Sequence, residues 1–78
     1  MPRLPLKIPA MSQNRREEAT RRVAEARQIA DRQKDSIERL KAAQRPTREA
    51  EQVLYLLQSN LRILEEDLAR TIAEEEGS

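Results

Sequence analysis

From Ala50 to Leu68 the apolar residues Ala50, Leu54, Leu57, Leu61, Leu64 and Leu68 recur at alternating steps of four and three. That 3.5-residue rhythm lines all of them along one seam of a helix. Upstream, Ala19, Val23, Ala26, Ala30, Gln33, Ile37 and Leu40 keep the same rhythm. Between the two runs lies Gln44-Arg45-Pro46-Thr47, a stop followed by a start. Pro46 pushes Arg45 out of the helical region. Thr47 is then placed as an N-cap, with Glu49 and Glu51 at the positive end of the second helix dipole. The pattern predicts an all-α chain of two long antiparallel amphipathic helices, a helical hairpin. Helix 1 is expected over about 13–43, the turn over 44–47 and helix 2 over about 48–74, within a folded unit of 12–75.

The ends differ from the middle. Pro2, Pro5 and Pro9 interleave with Leu4, Leu6 and Ile8. Proline at this density opposes a helix and favours extended backbone, so residues 1–11 read as a disordered tail. Pro2-Arg3-Leu4-Pro5 fits the loose PxxP docking pattern, and the tail's leucines offer a second, membrane-touching role. Met11 followed by Ser12 is an alternative start. No stretch has the apolar length of a signal peptide or a membrane span. Ser12, in competition with Asn14, is the expected N-cap of helix 1. Its flanks carry Glu17–Arg21, Glu18–Arg22 and Asp35–Arg39 at i,i+4 spacing, each with the acid N-terminal. Glu74-Glu75-Glu76 lies at the negative end of the helix 2 dipole, which predicts fraying over 76–78.

Antiparallel pairing about the turn brings Leu40 towards Ala50 and Leu54, and Ile37 towards Leu54 and Leu57. It also brings Gln33 towards Leu57 and Leu61. The small Ala26 and Ala30 meet the large Leu61, Leu64 and Leu68. The expected seam is thus Val23, Ala26, Ala30, Ile37 and Leu40 against Leu54, Leu57, Leu61, Leu64 and Leu68. Helix 1 does not cover helix 2, however. At 100° per residue Val53, Leu56 and Ile63 are expected on a flank well away from the Leu57 seam, with Asn60 among them, while Ile29 broadens the seam of helix 1. Ordering roughly sixty residues costs about as much as a lone hairpin gains from burial. The surplus flank of Val53, Leu56, Asn60 and Ile63 is therefore the candidate protein interface. A second copy is its first expected occupant, giving a homodimer in the form of a four-helix bundle or coiled coil, with a different protein as the alternative. Asn60 and Gln33 are candidates for fixing register, as buried polar residues do in coiled coils.

Composition narrows the chemistry. Charged residues make up 37% of the 78 residues, yet the net charge is only +1. The first 45 residues hold twelve Lys/Arg against six Asp/Glu, and the remainder holds three against eight. A basic half folded on an acidic half favours the hairpin over a rod, at roughly 0.3–0.5 kcal/mol per exposed pair. There is no cysteine and no histidine, which removes thiolate metal sites, disulfides, the commonest general base and histidine phosphotransfer. Gly77 is the sole glycine, so no phosphate-cradling loop can form. The acidic residues follow surface periodicity, and consecutive acids point to different sides of a helix, which argues against an oxygen cage. The chain is expected to be non-enzymatic, with no cofactor, metal or catalytic residue. The alternative functional class is weak non-specific nucleic-acid binding, with Arg15, Arg16, Arg21 and Arg22 as phosphate contacts. Interleaved Glu17, Glu18 and Glu25 and the absence of a nearby aromatic residue disfavour it.

From Val23 onward the chain resembles a group of short, uncharacterised helical proteins of alphaproteobacteria. The shared positions are Ile29, Gln33, Ile37 and Leu40, then Thr47, Ala50, Val53-Leu54, Leu57, Leu61, Leu64 and Leu68. Leu57 and Leu64 stand where the group carries phenylalanine. The resemblance implies a bacterial cytoplasmic helical hairpin, and it brings no activity with it. A small adaptor or regulatory protein is the expected function.

Overall fold

The computed structural model describes residues 8–77, with side chains from Asn14 onward. It holds two helices, α1 (Ile8–Ala42) and α2 (Arg48–Gly77), packed against each other as a hairpin. The rhythm of apolar positions thus reads correctly as helix, turn, helix.

The turn is built by three backbone hydrogen bonds. The amide of Arg45 donates to the carbonyl of Leu40 at 2.8 Å, and that of Gln44 to Lys41 at 2.9 Å. Together they form a Schellman motif, with Gln44 in the left-handed region at φ 57°. The Ala43 amide closes the last α-helical bond on Arg39 at 3.0 Å. Thr47 is the N-cap of α2, its carbonyl accepting from the Glu51 amide at 2.8 Å. Its hydroxyl, expected to accept from the first amides, instead donates to the Glu51 carboxylate at 3.1 Å.

The outer boundaries depart from expectation. α1 starts at Ile8 rather than near residue 13, so Ser12 and Asn14 lie within the helix and do not cap it. Pro9 falls in the first turn, where a missing N–H costs nothing, and Ala10 and Met11 are good helix formers. The extended tail assigned to residues 1–11 is therefore helical from Ile8; residues 1–7, with the PxxP pattern, lie outside the described residues. At the other end α2 continues through Gly77 rather than fraying after residue 75. Arg15 and Arg16 of α1 reach Glu74 and Glu75 at 3.4 Å each. They supply positive charge where the acidic run and the helix dipole would repel.

Burial is one-sided. Val23, Ala26, Ala30 and Ile37 are buried, and all four belong to α1. Among the described residues none of α2 is buried, and Leu54, Leu57, Leu61, Leu64 and Leu68 are all half-covered. A leucine of α2 extends past the width of the single helix it rests on. The thinnest dimension is 14 Å, a single layer of helices with no second layer over it.

Candidate interaction face

Val23, Ala26, Ala30 and Ile37 are buried and the leucines of α2 half-covered, while the flank beside them stays exposed. Val53 is 45%, Leu56 65% and Ile63 61% exposed. Asn60 is exposed between them. On a helix of 3.6 residues per turn these four span an arc of about 80°. The arc adjoins the Leu57–Leu64 side of the seam, and there α1 extends it. Ile29, 47% exposed, shares with Leu57, Asn60 and Leu64 a shallow hollow bounded by Arg22 and Glu25. The apolar face therefore crosses from one helix to the other.

Two residues of this face were not assigned to it by spacing. Ile29 was visible as a broadening of the helix 1 seam, but only the hairpin register puts it beside Asn60. Tyr55, at 69% the most exposed large apolar residue among those described, lies with Leu56 on an open hollow edged by Arg48, Glu51 and Gln52. Its distance from the seam in the helical wheel was the available signal.

Gln33 takes a different place from the one expected. It lies inside the hairpin, half-buried, and its amide nitrogen donates to the Ala50 carbonyl at 2.8 Å. That bond is closer to the turn than the expected Leu57 and Leu61 layer. A carbonyl within a helix keeps a free lone pair beyond its own helical bond, which allows this acceptance. Gln33 thus ties α1 to α2 through its amide nitrogen.

The basic cluster is largely consumed by carboxylates. Arg15 holds Glu74, Arg16 holds Glu75, and Arg22 holds Glu18 at 2.8 Å. Arg21 alone of the four candidate phosphate contacts makes no ion pair among the described residues. Arg27 adds a third bridge between the helices, to Glu65 at 3.0 Å. Of the three i,i+4 pairs expected on helix 1, Glu18–Arg22 closes, while Glu17–Arg21 and Asp35–Arg39 do not. A groove between the helices, around Ala19 and Thr71, is lined by Arg15, Arg22 and Arg70 and by Glu18, Asp67 and Glu74. Its charges balance three against three, which suits neither a phosphate nor a cation. Among the described residues no cluster of acidic side chains could hold a metal ion, and no helix is long and apolar enough to cross a membrane. Compared with known proteins, the chain matches no family model, no curated protein and no solved structure.

Proposed function

We propose that the chain is a non-enzymatic helical interaction module, a small adaptor or regulatory protein that works by burying the Val53–Leu56–Asn60–Ile63 flank against a protein surface. The observation that carries this reading is the one-sided burial: a leucine-rich helix of 30 residues has no buried side chain among those described. A contiguous apolar face of this kind on a small chain marks an interaction site. Neutral Asn60 at its centre adds a hydrogen-bonding group that a correct partner must satisfy, which lends specificity. Nucleic-acid binding draws less support, since a phosphate would have to displace carboxylates from Arg15, Arg16 and Arg22. The likeness to alphaproteobacterial hairpin proteins supports a bacterial cytoplasmic setting.

The test is site-specific photo-crosslinking in the cells that produce the protein. A photoreactive residue at Leu56 is expected to give discrete protein adducts, while one at Gln28, on the outer side of α1, gives none. Equal labelling at the two positions, or no adduct at Leu56, overturns the reading.

A further inference from the structure

We infer that the end of the hairpin opposite the turn is a charge-held clasp, which opens independently of the leucine seam and responds to the ionic surroundings. The rows that form the seam change character there. On α1 the row Ile37, Ala30 and Val23 runs at steps of seven, and all three are buried. One step further it reaches Arg16. On α2 the row Leu54, Leu61 and Leu68 reaches Glu75 in the same way, and Leu57 and Leu64 are followed by Thr71. Seven residues make about two helical turns, so each successor keeps its row's side of the helix. Positions that are apolar along the rest of these rows thus hold a cation, a carboxylate and a hydroxyl at the open end.

The ties made there are loose. Arg16 meets Glu75 and Arg15 meets Glu74 at 3.4 Å, against 3.0 Å between Arg27 and Glu65. A well-formed bond from a guanidinium to a carboxylate lies at about 2.7–2.9 Å. Thr71 spends its one hydroxyl proton on the Asp67 carbonyl of its own helix, at 2.9 Å. Glu75 fares worst. Its side chain is 22% exposed, and Oε2 is shielded from water yet accepts no hydrogen bond among the described residues. A carboxylate oxygen that has lost its hydration without gaining a donor opposes closure, and it is relieved as soon as water enters. Parting the arms beyond Ala19 and Leu68 hydrates Glu75 and uncovers the half-covered Ile72. Val23, Ala26, Ala30 and Ile37 stay buried, and the Gln33 bond to Ala50 is untouched. Ionic conditions thereby set how much of the end of α2 is presented to its surroundings.

The chain has no native cysteine, so paired nitroxide labels on introduced cysteines report distances cleanly. Asn14→Cys with Ala73→Cys spans the open end, and Ser36→Cys with Gln52→Cys spans the half near the turn; all four positions are exposed. Labelled full-length chains, diluted into unlabelled ones, are measured by pulsed electron spin resonance. Raising sodium chloride from about 0.05 to 0.5 M shortens the Debye length roughly threefold. This is expected to lengthen and broaden the Asn14–Ala73 distance and to leave the Ser36–Gln52 distance unchanged. Arg15→Gln combined with Arg16→Gln is expected to give the open distance already at low salt. Glu75→Leu continues the leucine row and removes the unpaired oxygen, so it is expected to hold the distance short at both salts. An Asn14–Ala73 distance indifferent to salt overturns the clasp. So does lengthening of both pairs together, since the hairpin then opens as one unit. An open end that stays equally salt-sensitive in Glu75→Leu overturns the part assigned to Glu75.

Discussion

Gln44 sits in a backbone conformation that side chains rarely adopt. With φ at 57° it is the only non-glycine residue with positive φ among those described. A side chain there costs about 1 kcal/mol relative to glycine, because Cβ crowds the following carbonyl. Gln44→Gly is therefore expected to stabilise the hairpin by about 0.5–1 kcal/mol. Gln44→Val, β-branched in the same conformation, is expected to destabilise it by more than that. Urea unfolding followed by circular dichroism separates the two. Gln33 shows the opposite kind of residue-scale device, a polar group in an apolar seam whose one strong bond goes to backbone. The seam rhythm located it, but nothing in the sequence could reveal that Ala50 offers the acceptor. Chain geometry alone decides that.

At the scale of the helices, the difference between α1 and α2 is the informative result. α1 contributes the buried residues Val23, Ala26, Ala30 and Ile37, and α2 contributes leucines that are half-covered. Ala30, at 3% exposure, is the most deeply buried described residue between the two. Ala30→Leu is expected to push them apart and cost about 1–3 kcal/mol, read as a fall in thermal midpoint, whereas the exposed Gln28→Leu should be near neutral. Helix identity, the turn, the seam and the unpaired flank were all legible in the sequence, since each rests on a period that repeats over several turns. The start of α1 was not. Three prolines obscured it, because proline opposes a helix interior yet is welcome in a first turn, and only the backbone shows which applies to Pro9. Ile29 eluded assignment to the face for a related reason: its neighbours Leu57, Asn60 and Leu64 come from the hairpin register, which a single helical wheel does not contain.

For the whole molecule, the separation of charge along the chain becomes a set of bridges between its halves. Arg15–Glu74, Arg16–Glu75 and Arg27–Glu65 all join α1 to α2, and apart from the Glu75 carboxylate, 22% exposed, their side chains lie open to water. Exposed pairs contribute about 0–1 kcal/mol each and are screened by salt. Raising sodium chloride to about 0.5 M, where the Debye length falls to roughly half its physiological value, is therefore expected to lower the thermal midpoint only modestly. A large loss of helicity would mean that charge rather than the leucine seam holds the hairpin closed. The thinness of the molecule has a thermal consequence as well. Heat capacity rises on unfolding because apolar surface becomes hydrated, by about 12–15 cal/mol/K per residue in ordinary domains. Among the described residues only four side chains are buried and the leucines of α2 are half-covered, so less apolar surface is newly hydrated than in an ordinary domain and the increment falls below that range. Its free energy of unfolding then varies gently with temperature. The curvature that gives most proteins a sharp optimum appears here only once the leucine side of α2 is covered.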